Sequence, residues 1–309
     1  MRRLLPIPAA SALILALLLP LPAAAQLPTG ISDVVVIDAG AEPRQALRYR
    51  WSEDHRERLD SVVTVDIAAR EADRPVMSME LPVSLSVRAR VTQVAEDGTA
   101  TVAMTYDNLT FGPMSATGGG LPDGDEEAAA FDAAMAAIAP LLDQTRAWQV
   151  IDDRGTVLST RMDLPDGFPA EIEDQLVQTS ASVALLPEEP VGVGARWEST
   201  GTTVNQGVSL GVTTTMELIA IDGDEVALAM SLRLADGLEA ELPTVNPFEQ
   251  FEIMGGGSYL LDLGGVFPLE SSVDMTMTMA GDIPDGAGRT VPVDMTVSLD
   301  MALETHDLE

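Results

Sequence analysis

Cysteine and lysine are both missing from this chain of 309 residues, histidine occurs twice, and aromatic residues make up only 4%. Each absence excludes something. Without cysteine there is no disulfide, no thiol nucleophile and no attachment point for a lipid anchor, so stability rests on burial and backbone pairing. His55 lies in the charged run Glu53–Arg58 and His306 lies near the chain end. Both read as surface histidines, which leaves a nucleophilic serine without a base and zinc without a plausible ligand set. No Gly-x-Ser-x-Gly elbow occurs, since Gly256-Gly257-Ser258-Tyr259-Leu260 lacks the last glycine. The glycine runs 118–120 and 255–257 match no nucleotide-binding pattern and read as flexible loop tips.

Positive charge is scarce as well. All 17 basic residues are arginine, set against 49 acidic ones, for a formal net charge of −32. Such a surface repels polyphosphates, which excludes nucleic acid as a partner. Nine of the arginines fall between Arg44 and Arg90, while Arg233 and Arg289 are the only two beyond Trp197. That asymmetry suits either head-to-tail self-association or pairing within the chain. With so many carboxylates, a search for an acid/base pair of the glycosidase kind carries no information. The acidic turns Asp123-Gly124-Asp125-Glu126 and Asp222-Gly223-Asp224-Glu225 lack the full spacing of a calcium loop. Helix capping explains the first and a hairpin turn the second.

What is present begins with an export signal. Arg2-Arg3, an apolar run from Leu4 to Leu21 and the small residues Ala23-Ala24-Ala25 before Gln26 form a secretory leader. Cleavage near Ala25/Gln26 places the mature chain in the periplasm or beyond. The run is short and interrupted by Pro6, Pro8 and Pro20, so no membrane insertion is expected after cleavage.

The dominant pattern beyond the leader is alternation at period two. Val83, Leu85 and Val87 alternate with Ser84, Ser86 and Arg88, and Val102 and Met104 with Thr101, Ala103 and Thr105. Met275, Met277 and Met279 alternate with threonine, as Met295, Val297, Leu299 and Met301 do with Thr296, Ser298 and Asp300. Asp97-Gly98, Asp222-Gly223 and Gly264-Gly265 supply hairpin turns. Two helical segments are expected, at about 125–146 and 169–185. Phe131, Met135, Ile138 and Leu142 form the stripe of the first, with a break at Pro140. Ile172, Leu176 and Val183 form that of the second, which Pro169 opens. The expected fold is therefore α+β, mostly β: curved antiparallel sheet covered by two helices.

Similar turn order after Trp51 and after Trp197 suggests an internal duplication. The expected organisation is a leader over 1–25, an extension over 26–42, a first β-rich half over 43–190 and a second over 191–309. Leu186-Pro187-Glu188-Glu189-Pro190-Val191-Gly192-Val193-Gly194-Ala195-Arg196-Trp197, with Leu47-Arg48-Tyr49-Arg50-Trp51, resembles uncharacterised exported bacterial proteins of about this length. These carry a Pro-Val-x-Val-Gly-x-x-Trp step between two β-rich halves. That family has no established activity, so the resemblance transfers no catalytic residue. The layout is also similar, more loosely, to the periplasmic lipoprotein-carrier half-barrel, whose helices cover a concave sheet.

Met275, Met277, Met279, Met295 and Met301 would share one face of a C-terminal hairpin. Thioethers bind copper(I), but this alternation is that of any half-buried strand, and methionine suits a core or a greasy cavity of variable content. These five are the candidate ligand-cavity residues, with no catalytic residue, metal or cofactor expected. The leading expectation is a non-catalytic periplasmic protein holding an apolar ligand such as a lipid, or a polypeptide, in the concavity. The alternatives are a structural or interaction module of the envelope with a filled core and an acidic binding surface, and, remotely, a carboxylate-based hydrolase.

Overall fold

The computed structural model describes residues 34–71, 74–112, 115–117, 133, 139–165, 183–205, 208–235, 248–284 and 290–308. Thirteen strands occur in chain order: β1 (Val35–Asp38), β2 (Arg56–Glu71), β3 (Arg74–Val94), β4 (Ala100–Phe111), β5 (Ser115–Thr117), β6 (Arg146–Ile151) and β7 (Val157–Asp163). Then follow β8 (Arg196–Asn205), β9 (Val208–Asp222), β10 (Glu225–Leu234), β11 (Phe248–Asp262), β12 (Pro268–Pro284) and β13 (Thr290–Asp307). They form one antiparallel sheet in the order β1-β8-β9-β10-β11-β12-β13-β2-β3-β4-β6-β7, with β5 added to β3. The two expected halves thus occupy the two sides of a single sheet, joined where β13 pairs β2 from Val293↔Glu71 to Asp307↔Glu57.

Alternation decides which face is buried. Along β2, Glu57, Leu59, Ser61, Val63, Val65, Ile67 and Ala69 are buried while the residues between them are not. The same face is buried through Leu81, Val83, Leu85 and Val87 on β3 and Val297, Leu299, Met301 and Leu303 on β13. A sheet with one apolar face and, among the described residues, no second layer of comparable size buries that face by curling on itself. The hydrogen bonds establish the curl. Leu186 N–H donates to the Arg154 carbonyl in the β6–β7 turn, and the neighbouring Leu185 carbonyl accepts from Trp197 Nε1 on β8. Around the sheet, β8 and β7 are ten ladder steps apart, about 47 Å at the usual strand spacing. Two adjacent residues span the same separation directly. Among the described residues no ladder joins β7 to β1, so the sheet wraps round without closing into a barrel.

One end of this wrapped sheet is sealed. The turns β3–β4, β6–β7, β9–β10 and β11–β12 all lie there, together with the start of β2 and the end of β13. Leu47–Trp51 runs across the opening in extended form: Tyr49 N–H donates to Asp153 O (2.8 Å) and Arg50 N–H to Leu263 O (2.6 Å). Leu47, Tyr49 and Trp51 point inward and are buried, whereas Arg48 and Arg50 face outward to Asp153 (3.5 Å) and Asp224. The Tyr49 and Trp51 rings stack with centroids 5.2 Å apart. A second strap, Val183–Val191, lies against the first through Gln45↔Val191, Tyr49 Oη–H donating to Ala184 O (3.0 Å) and Arg48 donating to the Pro187 and Glu188 carbonyls. The segments Leu47–Trp51 and Val183–Val191, distant in sequence, therefore form one object, the floor of a cup.

Several expectations change here. Gly255–Gly257 is not a loop tip but lies inside β11. A Cβ on Gly257 would stand 2.5 Å from the Ser272 carbonyl oxygen and one on Gly255 2.9 Å from that of Asp274, so glycine permits close approach of β12. The run 118–120 lies outside the described residues. The first expected helix ends early: Asp143 N–H still bonds Ala139 O, but residues 143–144 turn and β6 begins at Arg146. Alternation of buried Ala147, Gln149 and Ile151 outweighs helix continuation after Pro140. Residues 166–182 of the second expected helix lie outside the described residues, while Val183–Leu185 are non-helical and belong to the strap. Almost no helix is present among the described residues, and antiparallel sheet dominates.

The floor should be sensitive to added bulk. A Cβ on Gly192 would lie 1.7 Å from the Ala41 carbonyl oxygen, whereas one on Gly194 (φ 84°) meets nothing within 4 Å. In urea unfolding, Gly192→Ala should cost at least about 1–3 kcal/mol through overpacking, and Gly194→Ala only the smaller left-handed penalty of about 1–2 kcal/mol.

Candidate functional site

Cross-strand register stacks the inner side chains into rungs that rise from the floor. The first above it joins Tyr106, Val87, Leu59 and Thr305, and the next Leu85, Ser61, Leu303, Ser271 and Tyr259. Across β3, β2, β13 and β12 the higher rungs are apolar: Val83, Val63, Met301 and Val273, then Leu81, Val65, Leu299 and Met275, the second running on through Gly255 and Leu232 to buried Thr214 and Ser199 on β9 and β8. Above these come Met79, Ile67, Val297, Met277 and Ile253, then Met77, Ala69, Met295, Met279 and Phe251. All five candidate cavity residues thus project from β12 and β13 onto the concave face. Met77 and Met79 from β3 join them, separated from the C-terminal hairpin by nearly 190 residues of sequence and so outside any local pattern.

Burial is uneven along the rungs, and Leu81, Val65, Ile67 and Met79 stay fully buried well above the floor. Near the floor, Leu59 and Val87 are 1% and 4% exposed, and Met301 is 3% exposed. Farther up, Met77, Met275, Met277 and Phe251 are only partly buried, packed against the core rather than within it. The apolar wall is sealed at one end and only partly covered at these four residues away from it.

The outward face has the opposite character. Asp60, Glu304 and Glu270 stand in one row across β2, β13 and β12, and Asp300 faces Asp274. A β-barrel that spans a bilayer places apolar residues outward and polar ones inward, the reverse of this distribution. No helix among the described residues is long and apolar enough to cross a membrane. The N-terminal arginines are engaged within the chain: Arg58 with Asp60, Arg88 with Asp107 and Arg90 with Asp54. Arg90 holds the Asp54 carboxyl below its ordinary range.

One ionisable group is buried at the floor. Glu57, 3% exposed, accepts from Val266 N–H (3.0 Å to each oxygen) and Phe267 N–H (3.0 Å), and its Oε1 lies 2.6 Å from His55 Nε2. It pins the β11–β12 turn to β2, while Trp51 Nε1–H donates to Gly265 O in the same turn (3.1 Å). Burial pushes the Glu57 carboxyl above its ordinary range, against the opposing bonds from His55, Phe267 and Val266. The ligand atoms of His55, Glu57 and Asp307 lie within 4.8 Å of one another. Both Glu57 oxygens already carry backbone bonds, so the arrangement is that of a structural latch. His55 is therefore half-buried and bonded rather than a free surface group, whereas His306 is 49% exposed beside Asp60. The acidic turn 222–225 is a tight hairpin whose Asp224 is taken by Arg50; the turn 123–126 lies outside the described residues.

Neither family models nor curated proteins match this chain. Among solved structures, an outer membrane channel from Pseudomonas putida F1 is similar at 8% identity, with a TM-score of 0.24, over 84% of this chain and 97% of that one. A Pseudomonas aeruginosa FadL homologue (8%, TM-score 0.24, 83% and 91%) and P. aeruginosa OpdQ (8%, TM-score 0.21, 82% and 99%) are comparably distant. Superpositions this loose carry no functional argument.

The latch has a pH signature. Because its carboxyl binds a proton more tightly when folded, Glu57 contributes more stability as pH falls through its raised value toward the unfolded one. Glu57→Gln loses an acceptor for the turn and should cost about 1–3 kcal/mol at neutral pH. The gap in urea midpoint between the two proteins should widen as the buffer is made mildly acidic. On the outer face, Asp300→Asn removes a like-charge pair and should raise the thermal midpoint at low salt, with the gain shrinking as salt is added.

Proposed function

We propose that this chain is an exported, non-catalytic binding protein that holds an apolar ligand within its wrapped sheet. The observation that carries the proposal is the inner wall: rungs of methionine and aliphatic side chains, sealed at the floor, with Met77, Met275, Met277 and Phe251 only partly covered away from it. Methionine adapts to variable apolar contents, and Met77, Met275, Met277 and Phe251 retain exposed surface that a ligand would remove from water. The polar outer face supports a protein that works in water rather than spanning lipid, and the leader supports a periplasmic or secreted location. On this reading the apolar ligand is a lipid-like molecule taken up from the envelope.

Protein purified from its native host and extracted into organic solvent should release a stoichiometric apolar compound detectable by mass spectrometry. The stripped protein should then bind a fluorescent apolar probe saturably, and Met277→Glu, which places a charge on the inner wall, should weaken that binding at least about tenfold. Absence of both co-purifying lipid and probe binding in the folded protein would overturn the proposal.

A further inference from the structure

The latch on the floor leaves one acceptor position of Glu57 that the backbone does not use. A carboxylate offers about four lone-pair positions, two on each oxygen. Val266 N–H takes one on each oxygen at 3.0 Å, and Phe267 N–H takes the second on Oε2 at 3.0 Å. The position left on Oε1 meets His55 Nε2, 2.6 Å away. These backbone bonds also hold the carboxyl in one orientation. Gly265 lets the turn close over it, since a Cβ there would stand 2.8 Å from Oε1.

A third group joins these two. Asp307 near the end of β13 stands directly across from Glu57 at the start of β2, so two carboxylates face one another in the ladder. Such an arrangement is repulsive unless a positive charge lies between them. Neither carboxylate is paired with an arginine among the described residues. The ligand atoms of His55, Glu57 and Asp307 all lie within 4.8 Å of one another, the one such group among the described residues. The Glu57 side chain is 3% exposed, but that of His55 is 27% exposed and Asp307 is open to solvent, so a small ion can reach the group.

We propose that His55 Nε2, Glu57 Oε1 and Asp307 bind one divalent ion of the zinc class, with water as the fourth ligand. An imidazole nitrogen with two carboxylate oxygens is a zinc-type donor set, and the two negative charges balance the ion. Calcium and magnesium favour oxygen alone. Zinc donors at about 2 Å stand about 3.3 Å apart in a tetrahedron, a spacing that the exposed Asp307 side chain reaches by rotation. His55 serves as its Nδ1–H tautomer, which frees Nε2 for the metal. The Val266 and Phe267 amides then act as the outer hydrogen bonds that orient a ligating carboxylate. The bound ion ties the end of β13 to the start of β2 and, through Glu57, to the β11–β12 turn. This site lies at the floor and is independent of the ligand proposed for the interior.

The test is titration of EDTA-treated mature protein with Zn2+, Ca2+ and Mg2+, read by calorimetry and thermal unfolding. Zn2+ should bind at one equivalent and, at about a hundredfold excess over Kd, raise the thermal midpoint by about 5 °C, reversibly with EDTA. Ca2+ and Mg2+ at the same concentration should not. Asp307→Asn, an exposed change that keeps the fold, and His55→Ala should each weaken zinc binding at least about tenfold. His306→Ala, on the outer face beside Asp60 and Glu304, should leave it unchanged, as should Asp300→Asn. Ca2+ as effective as Zn2+, or several equivalents bound with no loss in Asp307→Asn and His55→Ala, marks general attraction to an acidic surface and overturns the proposal. Loss of binding in His306→Ala instead of His55→Ala overturns it too.

Discussion

Among the described residues the sheet is a single layer whose one apolar face has to be buried against itself, and the rest of the described structure follows from how that wrap is held. Strand pairing does not close it. Two short extended segments far apart in sequence, Leu47–Trp51 and Val183–Val191, cross the end of the sheet and tie its opposite sides together. The first alternates like a strand, with Leu47, Tyr49 and Trp51 inward and Arg48 and Arg50 outward, although its hydrogen bonds go to turns, whereas Val183–Pro187 of the second are buried in succession. Each large aromatic at the floor contributes apolar area, worth about 1.5–3 kcal/mol when fully buried, and its polar tip selects one carbonyl. Area drives the collapse, and those few bonds determine where it stops.

Glu57 shows the same logic at higher electrostatic cost. Burying a carboxyl is unfavourable unless it is bonded, and three backbone contacts and one imidazole surround this one. It converts the β11–β12 turn, itself unremarkable in sequence, into a fixed part of the floor. The outer face accepts the opposite compromise. Carboxylates stand directly across from one another on β12 and β13 because the period-two pattern dedicates the other face to burial, and solvent and salt screen the repulsion.

Much of the fold was legible in the sequence because strand alternation is local. Antiparallel sheet, the hairpins at Asp97-Gly98, Asp222-Gly223 and Gly264-Gly265, and the common inward face of the five methionines all follow from residues within a few positions of one another. The glycines at 255–257 misled because composition alone does not separate a loop from a strand whose neighbour comes too close for a Cβ. The ends of the expected helices misled where strap and strand formation outweighed local helical spacing. His55 read as solvated because its run is charged; its partner Glu57 is buried only once β11 and β12 turn over it.

The sequence by itself determined the charge, the absence of thiol chemistry and which side of each strand is apolar, since these depend on residue type and on a period of two. Tertiary structure alone decided that Leu47–Trp51 and Val183–Val191 meet as a floor, that Met77 and Met79 join the C-terminal methionines, and that the Tyr106 and Ser271 hydroxyls find no partner among the described residues. Those facts depend on register between strands distant in the chain and on the closure of the wrap. Hydrogen bonds and burial across such separations leave no local trace.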